Sequence, residues 1–325
     1  MSRSTRPLLL LPIVLAAMSA PLSVLAADYP SKPIRWIIPY SPGGTSTFLA
    51  RMIAEKLTEA WKQQIIIDNR TGANGNIGTA AAARATPDGY TMVLVASTYT
   101  MNPAVYPNLP FDSEKDLTGV TTLLWQPYVV SVHPTLPVAT VKELLALARA
   151  RPGQIDYGSG GVGNATHIAI ERFATMAKVK LRHVPYKGVG NSIIGLMTGE
   201  VQLLFGSAVA IQPHLHSGRI KVLAVTGLKR VGSLPKVPTV AESGVPGFEE
   251  GNWQAVLVPS GTPGAIVSKL NQELVRIVKE TDVNAQILKV GANVIGDTPE
   301  QTNARIRADL KKYGELIKRL DIKLE

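Results

Sequence analysis

The chain has 325 residues, 45% hydrophobic and 18% charged, enough apolar material for two domains with their own cores and too much for a disordered chain. It has no cysteine, which excludes disulfides, thiolate metal sites, cysteine nucleophiles and a lipid-modified cysteine near the N-terminus. The formal charge is +10, but the cations are scattered, with no cluster denser than Lys311-Lys312 or Lys318-Arg319 and no interleaved aromatics, so small anions rather than nucleic acid are the expected partners.

Residues 1–26 read as a cleaved secretory signal. Arg3 and Arg6 precede an apolar stretch over 8–17, and small residues close it, with Val24 and Ala26 placed for cleavage after Ala26. Pro12 interrupts the stretch and Pro7 and Pro21 lie on either side of it, the stretch is short for a membrane span, and no Arg-Arg pair marks a twin-arginine signal. The mature chain is therefore expected in the periplasm, without a lipid anchor.

From there strand and helix patterns alternate. "IRWIIPY" is a buried strand, and 47–58 has helical spacing (Leu49, Met52, Ile53, Leu57). "QIIIDN" is a second strand, "GANGNIGTAAAARATPDGY" a glycine loop, an alanine-rich helix and a turn, and "TMVLVAS" a third strand. A looser stretch leads to the long strand "TTLLWQPYVVSVHP", then a helix with Thr140 and Glu143 in capping-box spacing. The strand "IDYGS", a helix over 165–177, the strand "KLRHVPY", a helix near 193–198, the strand "VQLLF", a short helix near 211–216 and the strand "IKVLAVT" follow. After a Pro- and Gly-rich loop over 233–251 come the strand "WQAVLVP", a helix starting near Pro263 and a last helix over about 299–320.

This alternation predicts parallel sheets covered by helices on both faces. The long strand and "WQAVLVP" are placed to cross between two α/β domains. The expected partition is 27–125 plus 254–325 as a discontinuous first domain and 126–253 as the second, with the two crossings as a hinge.

Two segments repeat one design. "YSPGGTST" from Tyr40 and "YGSGGVGNATH" from Tyr157 each turn a strand into a helix through glycines and hydroxyls. A helix start has unpartnered N–H groups and partial positive charge, and glycine lets an anion approach them. The dipole contributes roughly 0.3–1 kcal/mol and each hydrogen bond about 1 kcal/mol, whereas micromolar binding needs about 8 kcal/mol. Two facing corners in a closed cleft are needed to reach that figure.

Other chemistries fit less well. "GSGGVG" (Gly158, Gly160, Gly163) matches a dinucleotide fingerprint, but "HVPYKG" holds Lys187 where an acid is wanted. "PGGTST" has no Walker lysine. An exported serine hydrolase using Ser159 and His167 is the enzyme alternative, although Tyr157 spoils the nucleophile-elbow pattern. His214 and His216 flank Leu215 beside Ser217-Gly218 and read as a solvated turn rather than a metal site.

With these corners in view, the chain resembles the Bug-type periplasmic receptors of tripartite tricarboxylate transporters. The resemblance runs through "YPSKPIRWIIPYSPGGTSTFLAR", "IIIDNRTGANGNIGTAAAARATPDGYTM", "YGSGGVGNATHIAIERF", "HVPYKGVGNSIIGLMTGEVQLLF", "GRIKVLAVTGLKR" and "LPKVPTVAESGVPGFE". It implies a type II periplasmic-binding-protein fold that closes on a small carboxylate and performs no chemistry. Carried over, the first corner is Pro42, Gly43, Gly44, Thr45 and Thr47, and the second Ser159, Gly160, Gly161, Asn164 and His167. Ser97, Thr98 and Tyr186 are candidate cleft walls. No cofactor or metal is implied. The implied partners are the large and small membrane subunits of such a transporter, or, for a sensor subunit of the same fold, a signalling protein; the chain itself is expected to be a monomer. Many relatives carry an acid where Thr47 stands, so its absence predicts plain carboxylic acids over amino acids as ligands.

Overall fold

A computed structural model describes residues 29–42 and 44–323, so the signal segment and Gly43 lie outside the described residues. The first half builds β1 (Ile34–Ile38), α1 (Thr45–Trp61), β2 (Ile65–Asn69), α2 (Asn76–Ala83), β3 (Thr91–Ala96), α3 (Thr98–Val105) and the long β4 (Leu117–Val132). The second contains α4 (Val141–Ala150), β5 (Asp156–Ser159), α5 (Ala165–Ala177), β6 (Arg182–Pro185), α6 (Val189–Thr198), β7 (Leu203–Ser207), α7 (Ala208–Ile211) and β8 (Lys221–Val225). The chain then returns through β9 (Gly251–Pro259) to α8 (Gly264–Lys279), α9 (Thr281–Lys289), β10 (Asn293–Val294) and α10 (Pro299–Arg319).

The strand order is β2-β1-β3-β9-β4-β7-β5-β6, with β8 and β10 also pairing β4. β1 runs parallel to β2 and β3, and β5 runs parallel to β6 and β7, as βαβ connections require. The expectation of wholly parallel sheets is corrected at the centre. β9 is antiparallel to β3 and β4, and β4 is antiparallel to β7 and β8. The reason is topological: one crossing carries the chain out of the first lobe and the other brings it back, so the two meet head to tail.

β4 serves both lobes. Leu117 to Pro127 pair with β9, and Tyr128 to Val132 pair with β7. Pro127 has no N–H to donate and stands where the strand changes partners, the position at which a ladder tolerates proline. The next N–H, of Tyr128, donates to Thr226 Oγ1 at 2.7 Å.

Each lobe has its own core. Leu49, Ile53 and Leu57 recur every fourth residue of α1 and pack with Trp36, Leu94, Leu270 and Leu274. In the other lobe Phe173 of α5 meets Phe205 and Phe248 edge-on. Burying such side chains contributes about 1.5–3 kcal/mol each. α10 begins in a full capping box, Thr298 with Gln301, and spans both lobes. Its Ile306 packs with Val93 and Trp253, while Tyr313, Leu316 and Ile317 lie in the second lobe's core. The partition expected for 254–325 thus puts on one side a helix whose last turns pack on the other. Beside those turns the buried Glu250 accepts from Arg172 at 2.6 Å and from Tyr313 at 3.1 Å.

Candidate functional site

The first corner leaves a helix start open. Gly44 is the N-cap of α1, extended at φ −91° and ψ 178°, and no side chain caps the helix. The N–H groups of Thr45, Ser46 and Thr47 therefore begin a 17-residue helix without intrahelical acceptors, at the positive end of its dipole. A Cβ at Gly44 meets nothing within 4 Å, so the cap position itself has room for a side chain. Thr47 is 3% exposed, and its Oγ1 has no hydrogen-bond partner among the described residues. Pro42 is exposed at the mouth of this corner.

The hydroxyls here are held by neutral amides. Gln126 Nε2 donates to Thr45 Oγ1 at 3.1 Å, and Ser46 Oγ donates to Gln254 Oε1 at 2.9 Å. Ser97 N–H and Oγ both donate to Asn252 Oδ1, at 3.1 and 2.8 Å. The hydroxyl of Tyr40, three residues before Gly43, accepts from Ala96 N–H at 2.8 Å and ties the first corner to the end of β3.

The second corner is built differently. Its amides are occupied from within: Gly160 N–H donates to Thr166 Oγ1, Gly161 N–H to Ser159 Oγ, Gly163 N–H to His167 Nδ1 and Asn164 N–H to Gly161 O. Asn164 caps α5 by accepting from Thr166 N–H. Gly161 sits at φ +125° and Gly163 at +70°, conformations that only glycine adopts cheaply. The corner touches the first lobe directly. Asn74 Nδ2 donates to Val162 O at 2.9 Å, and Ala165 N–H donates to Thr98 Oγ1 at 3.4 Å. Gly163 lies so close to Val105 that a Cβ would fall 2.5 Å from it.

Two imidazoles support this corner from below. His167 and His183 stack with ring centres 3.8 Å apart, and Tyr157 stacks on His183 at 4.9 Å. Burial, reinforced by the neighbouring His183, pushes His167 down to about 3, and burial pushes His183 down to about 4. The Gly163 N–H occupies His167 Nδ1, so the neutral ring carries its proton on Nε2. Both rings are neutral when folded and protonate near pH 6.5 when unfolded. The unfolded state thus takes up more protons between those values, and stability is full above about pH 6.5 and falls as pH drops. For His167 alone the expected loss between about pH 6.5 and 5 is at most about 2 kcal/mol. Urea unfolding across that range measures it, and His167→Asn, which keeps an acceptor for Gly163, is expected to flatten the slope.

The structure places Gly44, Thr45 and Thr47 at the start of α1, Ser97 and Thr98 at the start of α3, and Ser159, Gly160, Gly161, Asn164 and His167 in the second corner, which meets the first lobe at Asn74, Thr98 and Val105. It turns Tyr186 elsewhere: the ring lies over Gly195 of α6 and packs in the second lobe, and only the Tyr186 carbonyl faces Gly161. The hydrolase pairing is corrected too. Ser159 Oγ bonds His183 Nε2 at 2.6 Å rather than His167, and Ser159 is fully buried. The residues the geometry adds are Tyr40, Asn74, Gln126, His183, Asn252 and Gln254. A trace of them is legible, since Trp-Gln occurs at 125–126 and again at 253–254, once in each crossing strand.

Two α/β lobes, joined by paired crossing strands with an open helix start at their junction, define a ligand-binding protein of the periplasmic type. Residues 49–322 match the family described as tripartite tricarboxylate transporter family receptor, TctC. The chain belongs to that family. It is 31% identical over 315 residues to Protein BugT of Bordetella pertussis, covering 96% of each chain. Among solved structures it is similar to Rpa4515 of R. palustris with adipate (34% identity, TM-score 0.87), covering 91% of this chain and 100% of that one. It is also similar to MatC of Rhodopseudomonas palustris with bound malate (26%, TM-score 0.81), covering 89% of this chain and 100% of that one. Family and neighbours are substrate-binding proteins, and this chain is a binding protein rather than an enzyme.

Proposed function

We propose that this chain is an exported periplasmic receptor that captures a small carboxylate between its lobes and delivers it to the large and small membrane subunits of a tripartite tricarboxylate-type transporter. The observation that carries the reading is the uncapped start of α1, with room at the Gly44 cap position and uncharged hydroxyls and amides around it. Such a terminus takes a carboxylate oxygen on its N–H groups without a charged side chain. The basic first segment with its apolar core and small-residue end supports export. Among the described residues no helix is long and apolar enough to cross a membrane. The adipate and malate held by the two neighbours support a dicarboxylate of similar size.

In this reading the lobes divide near 125–126 and 253–254. The ligand works by population shift, binding the closed arrangement better than the open one and so stabilising closure. Its first carboxylate sits on the α1 start. The second corner, whose amides are largely engaged internally, contributes shape and the closing contacts of Asn74 and Thr98. Thr47 offers a hydroxyl where an acid would pair with an ammonium group, so plain acids bind better than amino acids.

A thermal-shift screen of mono-, di- and tricarboxylates, aromatic acids and amino acids tests this. A ligand at a hundred times its Kd stabilises the folded state by about 2.7 kcal/mol, which is read as a clear rise in Tm. The expected hits are plain dicarboxylates. A panel with no carboxylate hit, or one led by glutamate or aspartate, contradicts the reading.

A further inference from the structure

Three side-chain amides lie where the two crossing strands pair. In the β4–β9 ladder Gln126 stands opposite Asn252 and Leu124 opposite Gln254, with Trp125 opposite Trp253 between them. Alternation along a strand puts Gln126, Asn252 and Gln254 on one face and the two tryptophans on the other. Gln126 and Gln254 are each 1% exposed.

Each amide serves a helix start. Gln126 bonds Thr45 and Gln254 bonds Ser46, the first two residues of α1. Asn252 takes both donors of Ser97, the N-cap of α3. Thr98 of α3 in turn accepts from Ala165 at the second corner. The strand pair that links the lobes therefore grips the starts of both helices through uncharged groups.

We propose that Gln126, Asn252 and Gln254 are positioning residues that hold the starts of α1 and α3 as one uncharged anion seat tied to the crossing strands. The inference rests on the anion-receptor reading above. Most buried polar side chains are hydrogen-bonded, and these three amides direct their bonds to the starts of α1 and α3. The residue type also fits the task. Ser46 uses the oxygen of Gln254, which leaves two N–H donors on that amide. A carboxylate would satisfy Ser46 equally well but would place a full negative charge beside the seat.

That difference gives the test. The tightest carboxylate of the screen is titrated calorimetrically into the parent, Gln254→Glu, Asn252→Asp and Gln286→Glu, the last an exposed control on α9, at pH 8.5 and 5.5. Gln254→Glu and Asn252→Asp keep an oxygen for Ser46 and Ser97, so a merely structural role leaves binding intact. Gln254→Glu is expected to weaken binding at the higher pH by about thirtyfold, because a like charge sits close to the seat in a partly dry site. Much of that loss is recovered at the lower pH, because burial raises the new carboxyl's pKa and neutralises it. Asn252→Asp follows the same pattern, and Gln286→Glu matches the parent at both values. Parent-like affinity of Gln254→Glu and Asn252→Asp at pH 8.5 overturns the proposal and leaves the receptor reading standing. A parent that binds no carboxylate overturns the reading itself, and the inference with it.

Discussion

Gly44→Asp is expected to give a protein that is slightly more stable and no longer binds its anion. Gly44 is already extended, the backbone an aspartate N-cap adopts, and a new Cβ there meets nothing. The added carboxylate is placed to accept from the amides of the first turn and to face the positive end of the α1 dipole. Relative to a glycine cap this stabilises the helix by roughly 0.5–1 kcal/mol. The same carboxylate occupies the seat and repels a second one, so affinity is expected to fall by more than about a hundredfold. Gly44→Ala, which adds bulk without charge, separates the two effects: it lowers stability slightly and affects binding less. Thermal melts and calorimetry on the three proteins check both signs. Stability and affinity moving together, or an unchanged affinity in Gly44→Asp, would contradict the assignment.

The second large effect concerns the crossing strands. Gly251 opens β9 opposite Pro127, and a Cβ there would lie 2.5 Å from the Trp125 ring and 2.6 Å from the Gln126 carbonyl oxygen. A backbone oxygen cannot rotate away as a side-chain tip can. Gly251→Ala must therefore spread β4 from β9 where β4 passes from one lobe to the other. The expected cost is about 3 kcal/mol, at the upper end for overpacking because the obstruction is main chain. Urea denaturation measures the loss, and Trp125 makes intrinsic fluorescence a reporter of the displaced strand. Binding is expected to weaken as well, since Gln126 shifts with its own backbone. Full stability in Gly251→Ala would show that the strands separate freely there.

The regular elements were largely legible because their apolar spacing was regular. The strands around Trp36 and Val93 and the stripe Leu49, Ile53, Leu57 follow from burial on one face or both. α3 was not legible. Its sequence, TYTMNPAV, contains β-formers and Pro103, and it is helical because Thr98 to Asn102 are all buried at the lobe junction. α9 follows α8 after a single residue, and its buried stripe is only Val283 and Ile287, too short to stand out as a separate helix.

The site was half legible for a similar reason. Glycines beside a strand mark where a helix starts, so both corners were found from sequence. Whether a corner's amides are free depends on hydroxyls and imidazoles several residues away. Thr166, His167 and Ser159 satisfy the second corner, while no side chain caps the first. Tyr186 illustrates the same limit, because its backbone reaches the corner while its half-buried ring packs over Gly195. Partners as distant in sequence as Gln126 and Gln254 carry no local periodic signal.

The most direct test is an amide NMR titration of the labelled protein with its tightest carboxylate. The account predicts that at saturation the largest downfield proton shifts fall on Ser46 and Thr47, whose N–H groups acquire an anionic acceptor. Unmoved Ser46 and Thr47 amides in a saturated complex would contradict it.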